Sequence, residues 1–108
     1  RADAAASQQN SYREIGTQLF ANNCSSCHGK NGTGGSAPVL NSKEFLKSTT
    51  DAQIQTLISG GISGTEMPAW SLQYGGTLTD EQVRQITTYL RSLEPTAPSV
   101  PNWRQGKS

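Results

Sequence analysis

The residues able to do chemistry in this chain are concentrated in one stretch, Cys24-Ser25-Ser26-Cys27-His28. Thiols three residues apart can each add to one vinyl group of a porphyrin, leaving two thioether bonds. The imidazole that follows at once then lies under the iron and can bind it from one side. Attachment and ligation are specified together, so the pattern points to one haem c, covalent through Cys24 and Cys27, with His28 as a metal ligand. Other uses of these residues fit less well. A structural zinc site takes four ligands, and these are the only cysteines and the only histidine. A redox dithiol of the thioredoxin kind sits in a βαβ pattern that is not visible here. A disulfide between Cys24 and Cys27 would close a very short loop and add little stability.

An iron held by one imidazole has a further position to fill. The single methionine, Met67, stands 39 residues after His28, within Glu66-Met67-Pro68. Methionine in a small protein more often fills gaps in a core. Against that reading, Pro68 restricts the backbone and the glycines before Met67 let the loop fold back. With one histidine in the chain, bis-histidine ligation is excluded. Met67 is therefore the second metal ligand expected from the sequence, a pairing that raises the reduction potential.

These residues must be positioned by helices. Residues 1–10 are small and polar and read as a flexible leader or linker. Ser11 with Glu14 forms a capping box that predicts a helix to about Asn22, carrying Ile15, Leu19 and Phe20 on one face. Gly16 shares that face, where glycine weakens a helix by about 1 kcal/mol, so its expected use is to admit a second helix closely. The glycine-rich run from Gly29 to Gly35 lacks the setting of a phosphate cradle and reads as a turn along the haem edge. Ala37-Pro38-Val39-Leu40 is expected to be extended. Asn41 with Glu44 predicts a short helix over residues 42–47, and Thr50 with Gln53 a helix to about Ser59. Thr79 with Gln82 predicts a last helix to about Leu93, with Val83, Ile86, Tyr89, Leu90 and Leu93 at helical spacing. No strand pattern of ordinary length appears, which gives an all-α class with about four helices. The domain is placed at 11–94, followed by a Pro-rich tail, 95–108, expected to be extended and semi-rigid.

Composition agrees with a cofactor in the core. Val, Ile, Leu and Phe number 18 of 108 residues, about 17%, which is below the level typical of a self-sufficient core. Disorder with so few apolar residues normally accompanies high net charge, and here that is only +1. A haem would complete the interior, so the apo chain is expected to fold poorly. No basic block suited to nucleic acid is present, and no apolar run approaches the ~20 residues of a membrane span. No signal peptide is visible, and the start at Arg1 is expected to reflect processing.

Taken together, Gly16 and Phe20 ahead of Cys24-x-x-Cys27-His28, Ala37-Pro38-x-Leu40, Met67-Pro68 and the last helix with Tyr89 and Leu90 resemble a monohaem class I cytochrome c over about residues 12–93. The resemblance is specific in the haem motif and methionine and looser elsewhere. It implies that the first and last helices cross, Gly16 against Tyr89. It also implies that the Pro38 carbonyl accepts the free ring N–H of His28, and that Trp70 lies near a haem propionate; a packing role suits Trp70 about as well. Haem attachment of this kind occurs in the family outside the cytoplasm, which implies a periplasmic or extracytoplasmic location.

The function so implied is one-electron transfer between redox protein partners, by a carrier and not an enzyme, monomeric as an isolated domain. Tethering to a membrane or a multi-subunit complex is left open, as is the tail, which either clasps the domain through Trp103 or forms a linker. Two alternatives remain open to test. One is a haem enzyme or gas sensor with a displaceable sixth ligand; the other is a haem-free dithiol.

Overall fold

The computed structural model describes residues 2–106; Arg1 of the expected leader and Lys107 and Ser108 of the tail lie outside the described residues. Among the described residues the architecture is all-α, arranged as five α-helices: α1 (Ala2–Asn23), α2 (Ser25–His28), α3 (Lys43–Ser48), α4 (Asp51–Gly60) and α5 (Asp80–Ser92). Among the described residues the only β-type pairing is an isolated bridge between Ser71 and Leu78.

The first helix departs from expectation. It begins at Ala2, so residues 2–10 are helix and not a flexible leader, and Ser11 lies inside it instead of capping it. Alanine and glutamine, which dominate this stretch, have high intrinsic helix propensity. Continuing the hydrogen-bond ladder upstream leaves no exposed N–H for Ser11 to cap. The later starts follow side-chain chemistry more closely. Thr50 and Thr79 each close a reciprocal box with Gln53 and Gln82. At α3 the cap is Ser42, one residue after the expected Asn41; its hydroxyl accepts the Phe45 N–H at 3.2 Å.

Packing centres on the crossing of α1 and α5. A Cβ on Gly16 would lie 1.9 Å from the Gln85 carbonyl oxygen, so only glycine permits this approach. Beside it the rings of Phe20 and Tyr89 stack at 5.3 Å between centroids, tilted by 46°. Phe20, Phe45, Leu46, Ile54, Ile58, Leu78, Val83, Ile86, Tyr89 and Leu90 form one buried core. Arg91 ties α5 to the α3–α4 corner. Its guanidinium donates to the Leu46 and Thr49 carbonyls and pairs with Asp51 at 2.8 Å and Glu94 at 2.9 Å. Partial burial opposes the charge, but those two carboxylates hold the guanidinium pKa above its ordinary value.

The Pro-rich tail turns back over the domain instead of running free. Single 3-10 turns at Glu94–Thr96 and Trp103–Gln105 bend it. Trp103 then packs on Phe45 at 4.9 Å, and Arg104 lies 4.2 Å over the Trp103 ring. Ser99 and the Val100 N–H donate to the Glu44 carboxylate. The Ser99 hydroxyl is the main cause of the lowered Glu44 pKa, which partial desolvation opposes and the Val100 N–H reinforces. The tail thus makes the contact with the domain through Trp103 that a clasp requires. Among the described residues, no helix is long and apolar enough to cross a membrane.

Candidate haem-binding site

The motif begins where α1 ends. The Asn23 side-chain amide donates a hydrogen bond to the Leu19 carbonyl at the end of that helix, and Cys24 donates its N–H to the Phe20 carbonyl. Cys24 then serves as the start of α2, its carbonyl accepting the N–H groups of Cys27 and His28 at 3.2 and 2.9 Å. One helical turn therefore sets Cys24, Cys27 and His28 in fixed relation, which is what double attachment and proximal ligation demand. Both thiols are free; Cys24 is half-buried and Cys27 exposed. Burial, reinforced by Cys27, pushes the Cys24 thiol up to about 11.

His28 Nδ1 lies 2.9 Å from the Pro38 carbonyl oxygen. A carbonyl can only accept, so Nδ1 carries the hydrogen and Nε2 of the neutral ring presents its lone pair. Burial holds the His28 pKa below its ordinary value, and the Pro38 bond offsets only part of that. Pro38 sits on the extended segment expected from its sequence. That segment is fixed by Ala37 N–H on the Cys27 carbonyl and by the Leu40 and Asn41 N–H groups, which share the Gly32 carbonyl.

Met67 and Trp70 come from the loop after α4. Gly61, at φ +69°, packs directly on the Pro68-Ala69 backbone, where a Cβ would meet Pro68 C at 2.6 Å. Ile62 N–H donates to the Met67 carbonyl at 3.1 Å, and Trp70 N–H to the Ile58 carbonyl at 3.0 Å. The Thr65 hydroxyl accepts the Met67 N–H at 3.2 Å. Both side chains are half-buried and pack against the core. The structure thus brings His28 and Pro38 into contact and holds Met67 and Trp70 on one tightly stitched loop.

One residue at the site escaped the sequence reading. Asn31, at φ +57°, accepts the Tyr89 hydroxyl at 3.3 Å and so joins α5 to the loop behind the motif. The Asn-Gly pair Asn31-Gly32 was its local signal, since asparagine tolerates that conformation.

The donor set fits covalently attached haem: two free thiols on one turn, an imidazole with its second nitrogen already engaged, and a half-buried thioether. With the all-α fold and the crossed terminal helices, this defines a class I c-type cytochrome domain. Comparison with known proteins gives the family. Residues 13–90 match the model for cytochrome c oxidase, cbb3-type, subunit III. The chain is 36% identical over 90 residues to the cbb3-type oxidase subunit FixP of Azorhizobium caulinodans, covering 80% of this chain and 31% of that protein. It is 38% identical over 80 residues to subunit CcoP of Rubrivivax gelatinosus, covering 73% and 25%. It is 35% identical over 102 residues to FixP of Sinorhizobium medicae, covering 85% and 34%. The chain belongs to the family of cbb3-type cytochrome c oxidase subunit III, as a domain that binds haem c covalently. It spans 25% to 34% of the length of these relatives.

Proposed function

We propose that this domain is a one-electron relay within a larger cbb3-type oxidase subunit, with haem c attached through Cys24 and Cys27 and ligated by His28 and Met67. The observation that carries this reading is the His28–Pro38 bond formed on the same helical turn as both thiols. Haem held by Cys24, Cys27, His28 and Met67 would supply one-electron ferrous–ferric chemistry. The chain's own contribution is rigidity. Pro38 fixes the plane and tautomer of the His28 ring and raises the basicity of Nε2. The pairs Ile62–Met67 and Ile58–Trp70 hold the thioether loop against the end of α4. Trp70 is assigned to cover a propionate. No second histidine stands ready for acid–base work, in keeping with a carrier and not an enzyme. The partners are redox proteins, an electron donor and the oxidase as acceptor, met at an extracytoplasmic or periplasmic face through small transient contacts.

Intact mass of the matured protein should exceed that of the chain by about 0.6 kDa, the mass of one attached haem. The oxidised spectrum should be low-spin with a weak near-infrared methionine-to-iron band that Met67→Ala abolishes. A high-spin native spectrum with ready CO binding favours a sensor or enzyme, and an unmodified mass favours a bare dithiol.

A further inference from the structure

We propose that the C-terminal tail tunes the haem-ligating histidine through the backbone, with Trp103 as the positioning residue. This rests on His28 being an iron ligand, as proposed above. The Pro38–Val39 peptide unit is hydrogen-bonded at both ends. Its carbonyl accepts the His28 Nδ1–H at 2.9 Å, and its N–H donates to the Trp103 carbonyl at 2.7 Å. A continuous chain therefore runs from the imidazole ring through one peptide group to the tail. Hydrogen bonds in such a chain polarise one another. Donation from Val39 N–H to Trp103 makes the Pro38 oxygen a stronger acceptor, which draws the Nδ1 proton and leaves Nε2 more basic.

The tail is built to hold that one carbonyl in place. The Trp103 ring is seated on Phe45, which is 6% exposed, and the Arg104 guanidinium lies over the same ring. On the far side of Pro38, Gly106 packs so closely on Ala37 that a Cβ would lie 2.5 Å from the Ala37 carbonyl oxygen. Upstream, Lys43 N–H donates to the Pro98 carbonyl at 2.9 Å, and Ser42 Oγ to the Val100 carbonyl at 3.1 Å. The tail thus contacts residues 37, 39, 42 and 43 in succession, bracketing Pro38.

A stronger imidazole donor favours ferric over ferrous iron, so releasing the tail should raise the reduction potential. The test compares holoprotein carrying Trp103→Ala, which removes the ring anchor, with Trp103→Phe, which keeps an aromatic on Phe45. Three quantities are read on each: midpoint potential, solvent exchange of the His28 Nδ1–H by NMR in the reduced protein, and melting temperature. Trp103→Ala should speed ring N–H exchange about tenfold. It should weaken the ferric preference about threefold, a rise of about 30 mV at 59 mV per tenfold for one electron. Trp103→Phe should restore both. A lower melting temperature with potential and exchange unchanged would assign the tail to packing alone and overturn the proposal. If Trp103→Ala fails to fold, deleting residues 104–108, which removes the Arg104 and Gly106 contacts but keeps Trp103, should shift both readouts in the same direction by less, and no shift overturns it. A native protein without a low-spin, histidine-ligated spectrum marks failure of the underlying site assignment instead.

Discussion

Replacing Gly16 with alanine should force the two longest helices apart. The added Cβ would sit 1.9 Å from the Gln85 carbonyl oxygen and 2.6 Å from its carbon, where real contacts stay beyond 3.0 Å. The helices must therefore separate by about 1.1 Å, because the obstacle is backbone and no rotamer change relieves it. Overpacking of this kind costs up to about 3 kcal/mol. Alanine recovers about 1 kcal/mol of helix propensity. The net loss is about 2 kcal/mol, which corresponds to a fall of roughly 8–16 °C in melting temperature for a domain near this size. Gly60→Ala is the internal control. It lies at the end of α4 with nothing within 4 Å of an added Cβ, and its φ lies outside the left-handed region. It should leave stability unchanged or raise it by up to about 1 kcal/mol. Thermal unfolding of the holoprotein by far-ultraviolet circular dichroism reads both. If Gly16→Ala melts at or above the native temperature, propensity outweighs the clash and the close crossing is not what holds α1 on α5.

Two further outcomes are expected. Thr79→Ala removes the cap of α5, whose hydroxyl accepts the Gln82 N–H at 3.1 Å, and should cost about 1 kcal/mol, read by urea titration with an unchanged slope. For Glu44 the folded pKa is depressed, chiefly by the Ser99 hydroxyl. Its contribution is therefore fully present above the ordinary carboxyl value of 4.5 and is lost as pH falls through the lower folded value. The melting temperature of Glu44→Gln should lie below the native one at neutral pH, with the gap closing on acidification below 4.5; a gap constant across that range contradicts the assignment.

Much of the fold and site was legible because the signals were local. Thr50–Gln53 and Thr79–Gln82 are reciprocal contacts over three residues, and the Cys24 to His28 spacing fits within one helical turn. Gly16 was legible for the same reason: a glycine on an apolar helix face has few uses besides close approach. Ser11–Glu14 misled because a capping box reports a start only where the preceding backbone is not helical, and the Ala-rich residues upstream extend α1. The tail was ambiguous for a different reason. Its prolines specify a locally extended chain, but its partners Val39, Ser42, Glu44 and Phe45 lie more than fifty residues away in sequence. The Arg91 cluster is hidden in the same way, since two of its acceptors are backbone carbonyls that no sequence pattern marks.

X-ray absorption at the iron edge of the matured, oxidised protein tests the central claim most directly. Iron ligated by His28 and Met67 should show five nitrogen neighbours and one sulfur, with the sulfur lost in Met67→Ala. Six light-atom neighbours, or five with the sixth position open, would contradict it.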